Sequence, residues 1–306
     1  MERNFETEHH PQPSKPAGVQ QPPMNETKFN ALLKLLDDSD PEVATQVESE
    51  LFTLGHENIA WLEKAWENVT DASIQSRLEE VIYKIQVDHF THELYEWRMD
   101  GGRDLLEGWI ILTQIQFPTL NVQKYRNEIN RLVNRIWLQT NAAMNDLEKL
   151  CVVNKLFYNQ EHYNGNYKDP DKADNNYLSY LIDTKKGNSL SLAAMYAIVA
   201  RQLEIPLQIV NFMGYFALRY YHQSSHFYID AYNKGMFFTP AQVQQFLKKL
   251  KAEENVYYYK PQSNIYIVLQ FIKNLMAGLE QQGQHEKVAI YQKLLKDIEV
   301  SFDKGE

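Results

Sequence analysis

"KKGNSLSLAAMYAIVARQLEIPLQIVNFMGYFALRYYHQSSHFYID", Lys185 to Asp230, holds one helix and the strands that must pack on it. Gly187 breaks the chain, and Asn188 or Ser189 offers a side-chain oxygen to the first free N–H groups of a helix. Leu192, Met195, Ile198, Val199 and Leu203 then recur at helical spacing until Pro206 stops the run. Beyond the proline the pattern changes. "LQIVNF", "YFALRYYH" and "SHFYIDAY" are β-rich runs, followed by a turn at Asn233-Lys234-Gly235. A hydroxyl at a helix start, Ser189, is thus followed by three β-rich runs, the last of which carries a carboxylate, Asp230.

The flanks on both sides read as helices. In "FNALLKLLDDSDPEVATQVESELFTLG", Leu32, Leu33, Leu35 and Leu36 share one helix, and Val43, Val47, Leu51 and Leu54 another. Asp40 is an N-cap, Pro41 a first helical residue, and Gly55 a stop. This helix–DPEV–helix unit resembles a HEAT-type repeat, with a weaker second unit over 59–85 that has "TDASIQSRLEEV" in its turn. Further helices are predicted over 88–99, 103–116, 121–140, 145–158 and 176–184, with an Asn-, Asp- and Gly-rich loop over 158–175. A helix starts after Pro240, and the last two, around Gly283, look like a single TPR-type hairpin. The predicted organisation is a disordered tail over 1–26, a helical region over 27–145, a core over 146–252 and a helical hairpin over 253–306. The tail is rich in Pro and Gln and has no apolar stretch of the kind a secretory signal needs.

Composition narrows the function classes. The chain has 306 residues, ample for a sizeable core, and 44% are hydrophobic. A net charge of −9 argues against general nucleic-acid binding and against docking on anionic membranes. A single cysteine, Cys151, excludes an intrachain disulfide and fits a reducing, cytoplasmic setting. No apolar run is long enough to span a bilayer. There is no P-loop or dinucleotide fingerprint, and no cofactor is expected.

From about Leu150 to Phe246 the chain resembles the transglutaminase-like superfamily, and within it the SirB-type branch, whose eukaryotic relatives include certain F-box proteins. The residues that carry the resemblance are Val153-Asn154-Lys155-Leu156-Phe157, Asp169-Pro170, and the run from Asn175 to Phe212. Gly214, Phe216, Arg219, Ile229-Asp230, Asn233 and Gly235 follow in order. The resemblance implies an α+β fold that is mostly helical, with a papain-like core in which a small antiparallel sheet packs on a central helix. Active members use a Cys–His–Asp relay, the thiolate favoured by the helix N-terminus. By spacing, Ser189 stands where the cysteine belongs, Tyr215 where the histidine belongs and Asp230 where the aspartate belongs. A tyrosine, with a reference pKa of about 10, is a poor base at neutral pH.

The resemblance therefore implies a catalytically degenerate protein acting as a protein- or peptide-binding module. Its expected groove is lined by Asn188, Ser189, Asn211, Tyr215 and Asp230. The alternative is a hydrolase or acyltransferase using Ser189 with Asp230 and a non-standard base. The structural reading makes Ser189 a helix cap and Tyr215 an aromatic sheet residue filling the histidine slot. It has Asp230 bond Tyr215, cap the turn at Asn233 or face water. A transglutaminase-like site also wants Tyr215 and Asp230 on one sheet face. That requires an even register, such as Tyr221 opposite His226, with an even loop over His222–Ser225. His226 then sits near the hairpin tip, away from Ser189. Cys151 lies in an apolar helical stripe and reads as a core thiol. His89, His92 and Glu93 read as a solvated helix face in preference to a metal site. Tyr257-Tyr258-Tyr259 reads as packing.

Overall fold

The computed structural model describes residues 26–36, 38, 40–222, 225–249, 251 and 255–299. The tail expected over 1–26 lies outside these residues except for Glu26, where the first helix begins. The chain divides into two compact units between Ile82 and Tyr83. The expected core over 146–252 and hairpin over 253–306 both fall in the second unit.

The first unit contains α1 (Glu26–Leu35), α2 (Pro41–Phe52), α3 (Ile59–Asn68) and the start of α4 (Ala72–Met99). Asp40 caps α2, its carboxylate accepting the Glu42 N–H at 2.9 Å. Phe29, Val47, Leu51, Leu62 and Leu78 are buried, and Phe29 meets Trp61 edge-on at 5.7 Å. The helix expected over 88–99 instead begins at Ala72, so "SIQSRLEEV" is helical and the turn shrinks to residues 69–71. Asp71 explains the early start: its side chain accepts the Ser73 N–H at 2.8 Å, as an N-cap does.

The second unit carries α5 (Leu105–Gln116), α6 (Val122–Trp137) and α7 (Asp146–Asn154), which runs into a π-helical turn at Lys155–Gln160. Then come β1 (Asn164–Gly165), α8 (Leu178–Thr184), β2 (Lys186–Gly187) and α9 (Ser189–Gln202). The sheet strands are β3 (Leu207–Phe212), β4 (Tyr215–His222), β5 (Ser225–Asp230) and β6 (Met236–Phe238). The helices α10 (Pro240–Lys249), α11 (Asn264–Gln281) and α12 (His285–Glu299) finish the described chain.

The fold is α+β, mostly helical, with a four-stranded antiparallel sheet in the order β3-β4-β5-β6 and a two-residue parallel bridge between β1 and β2. α9 is apolar on nearly every side, which a helix tolerates only when surrounded. Leu192 to Tyr196 are all fully buried, making α9 the axis of the core. One face of the sheet, with Ile209, Phe216, Leu218 and Ile229, packs into the same core as α9. The other face, with Val210, Phe212, Ala217 and Tyr228, forms a second, smaller core with Val243 and Leu247 of α10. Alternation along the strands puts Tyr215 and Asp230 on this second face.

The register that achieves this is the even one: Tyr221 opposes His226, and His222 opposes Ser225. The connection is therefore two residues, the length that antiparallel strands of right-handed twist favour.

Candidate functional site

Asn188, not Ser189, caps α9. The Asn188 side chain accepts the Ser191 N–H at 2.8 Å, and Ser191 Oγ accepts the Asn188 N–H at 3.0 Å, closing a reciprocal box. The capping role expected of Ser189 is thus displaced by one residue. Ser189 is the first helical residue, and its Oγ accepts the Phe216 N–H of β4 at 3.3 Å. Among the described residues Ser189 has no other side-chain hydrogen bond, so no imidazole lies within hydrogen-bond reach of it.

Tyr215 fills the position facing Asp230. Its hydroxyl donates to the Asp230 carboxylate, 2.7 Å from one oxygen and 2.8 Å from the other. Asp230 also accepts the N–H groups of Tyr232 and Asn233, each at 3.1 Å, and the Asn233 side-chain amide at 2.8 Å. That amide also reaches the Tyr215 oxygen, at 3.0 Å. The carboxylate therefore caps the turn after β5 and holds the tyrosine in one closed network. Burial, and secondarily the Asp230 charge, push the Tyr215 hydroxyl far above its usual range, so it remains a donor and cannot serve as a base.

His226 lies at the hairpin tip, exposed, with Nε2 3.2 Å from the Tyr228 hydroxyl. Partial burial, and secondarily Arg219, lower its pKa below the usual histidine value. Four strand residues separate it from Asp230, about 13 Å at strand rise.

A cleft of about 360 Å³ opens beside Ser189. Asn188, Ser189, Gly214 and Tyr215 line one side, Pro170, Asp171 and Tyr232 another, and Asn274, Ala277 and Gln281 of α11 a third. Of the five expected groove residues, Asn188, Ser189 and Tyr215 are at the cleft. Asp230 sits behind Tyr215. Asn211 is elsewhere: its amide donates to the Tyr266 hydroxyl at 2.9 Å, and its carbonyl takes the Gly214 N–H.

Behind the cleft wall is a relay of amides that spacing did not reveal. The Asn176 side chain donates to the Ala173 carbonyl at 3.0 Å, which turns its oxygen toward the cleft. That oxygen accepts the amides of Asn188 at 2.9 Å and Asn274 at 3.2 Å. The backbone carbonyl of Asn176 accepts the buried Trp109 indole N–H at 2.7 Å. Nothing local in the sequence links Asn176 to Asn274.

Other candidates resolve differently. Cys151 is exposed, so the expected core thiol is corrected. The apolar stripe of α7 runs through Leu150 and Val153, both fully buried, and Cys151 lies off it. Tyr257 is exposed with Lys260 over its ring at 4.3 Å, whereas Tyr258 and Tyr259 pack against the smaller core. His89 pairs with Glu93 at 3.4 Å along α4. Among the described residues no three His, Cys, Asp or Glu side chains converge as a metal would need, and no helix is long and apolar enough to cross a membrane.

Residues 123–273 match the family model described as the transglutaminase-like superfamily. This segment is a transglutaminase-like domain. It reaches further in both directions than the resemblance around Ser189, taking in α6 and the first part of α11. A UPF0162 protein of Xylella fastidiosa is 26% identical over 136 residues, 44% of this chain and 48% of its own length. F-box only protein 21 of Mus musculus is 34% identical over 94 residues, 28% of this chain and 15% of its own length. The human F-box only protein 21 is 33% identical over the same extent. The chain thus spans about half the length of the bacterial relative and a small part of the F-box proteins. No solved structure gives a significant match.

Proposed function

We propose that this transglutaminase-like domain, of the SirB-type branch, has lost its catalytic couple and works as a cytoplasmic regulatory module that binds a protein or peptide segment in the cleft beside Ser189. The closed Tyr215–Asp230–Asn233 network carries this reading. A nucleophile needs a base within hydrogen-bond reach. Here the facing group is a hydroxyl that donates to the carboxylate. The Ser189 hydroxyl is itself engaged by a backbone N–H. What remains is a pre-formed polar cleft of a size suited to one or two side chains. The flanking helices, HEAT-like before and TPR-like after, are surfaces of the kind that present proteins to one another.

The test has two arms on the full chain. A panel of amides, esters and serine-directed probes is expected to give no turnover or labelling that Ser189→Ala removes. A random displayed-peptide library is expected to yield binders lost in Ala277→Trp, which fills the cleft from an exposed position of α11. Ser189-dependent turnover would favour the hydrolase or acyltransferase alternative and overturn the reading. Binders indifferent to Ala277→Trp would overturn the cleft as the binding site.

A further inference from the structure

The cleft has a chemical bias that follows from which of its amide atoms are already used. Asn188 is oriented by the backbone: its oxygen takes the Ser191 N–H, so its NH2 must point at Asn176. Asn176 is oriented likewise by the Ala173 carbonyl. Its oxygen is therefore the acceptor for two amides, and Asn274 must offer it an NH2. The consequence falls on Asn274, whose own oxygen is left at the cleft with no donor among the described residues. Asn188 and Asn176 thus turn their NH2 groups inward, and the wall presents the Asn274 oxygen beside the Ser189, Tyr232 and Gln281 side chains.

Charge points the same way. Asp171 lines the cleft, and the Asp230 carboxylate stands behind Tyr215. Neither has a Lys, Arg or His counter-ion within ion-pair distance among the described residues, and no basic residue lines the cleft. Two rings complete the site. Tyr215 and Tyr232 both line it, with centroids 6.4 Å apart and planes nearly perpendicular. Tyr167, exposed, backs Tyr232 with a centroid distance of 4.8 Å.

We propose that the cleft is a receptor for an arginine side chain of a peptide partner, a reading that rests on the proposed peptide-binding function and specifies it. A guanidinium has five N–H donors and no acceptor, matching the free Asn274 oxygen and the Asp171 carboxylate. Its flat face stacks on tyrosine rings, and its charge answers the unpaired carboxylates. A lysine ammonium satisfies the charge but neither the planar stacking nor the spread of donors. An acidic side chain meets the Asp171 charge with no basic residue in the lining to answer it.

The experiment takes peptides selected from the library by the full chain and varies one residue. Binders are expected to share an arginine at one position. Replacing it by citrulline, its neutral isostere, is expected to weaken binding about 10- to 100-fold, and by lysine about 5-fold or more. Asp171→Asn, which keeps the shape of an exposed side chain, is expected to cost about 3-fold and to flatten the salt dependence. Binders that are lost in Ala277→Trp but lack an arginine, or that accept citrulline or lysine without loss, would overturn the arginine proposal and leave peptide binding standing. Absence of any binder sensitive to Ala277→Trp would overturn both.

Discussion

Removing a single oxygen tests whether the Tyr215–Asp230 network stabilises the folded chain. Tyr215→Phe leaves the ring, and hence its contacts with Phe246 at 6.0 Å and Tyr232 at 6.4 Å, in place. It opens no cavity. It deletes a hydrogen bond to an ionised carboxylate, a class worth about 1.5–3 kcal/mol. Asp230 keeps three N–H donors, from Tyr232, Asn233 and the Asn233 amide, so the charge is not orphaned. The expected loss therefore sits at the lower end, about 1.5–2 kcal/mol. Urea unfolding of the full chain reads it as a lower midpoint at unchanged slope. Combining it with Asp230→Asn should recover about 1 kcal/mol as coupling, because the two changes remove the same bond. A loss below about 0.5 kcal/mol, or coupling near zero, would mean that the hydroxyl is satisfied by water and that the closed network has no energetic reality.

Four further outcomes are expected. Asn176→Leu strips the acceptor from the amides of Asn188 and Asn274 and should cost about 2 kcal/mol in unfolding free energy; a neutral result would dissolve the relay. Gly278→Ala should destabilise by about 1–2 kcal/mol despite better helix propensity, because the added Cβ would lie 2.6 Å from the Ala173 nitrogen; a higher melting temperature would refute that contact. Cys151, being exposed, should react with a thiol reagent in the native protein as fast as in the denatured one; protection until unfolding would restore the buried reading. The hydroxyls of Tyr158, Tyr196, Tyr215 and Tyr291 are all raised, chiefly by burial, so the unfolded chain ionises first. Their stabilising contribution is complete below about pH 10 and is lost as pH rises beyond it, with tyrosinate absorbance appearing together with unfolding; early, non-cooperative ionisation of all tyrosines would contradict it.

Much of the fold was legible because it depends on local rules. The α9 helix announces itself by spacing and by Pro206, and the hairpin register follows from the requirement that Tyr215 and Asp230 share a face. Misreadings arose where two local answers were equally good. Asn188 and Ser189 are both cap residues, and only the reciprocal bonds with Ser191 choose between them. Cys151 follows a buried leucine in an apolar run, and one step around a helix moves a side chain by about 100° from core to water. Asn211 lies near Tyr215 in sequence, yet Tyr266, distant in the chain, takes its amide.

Sequence alone determined that the helix start carries a hydroxyl and not a thiol, and that the strand carries a phenol and not an imidazole. Those are chemical identities, and no folding changes them. What the phenol does was decided by tertiary structure: pairing of β4 with β5 brings its oxygen within 2.7 Å of a carboxylate fifteen residues away. The cleft has the same origin. Asp171, Asn188, Tyr215 and Asn274 come from separate parts of the chain, and only the packing of α9, the sheet and α11 collects them. Residue types and short-range periodicity are written in the order of the letters, whereas the sharing of hydrogen-bond acceptors among distant amides exists only once the chain has folded.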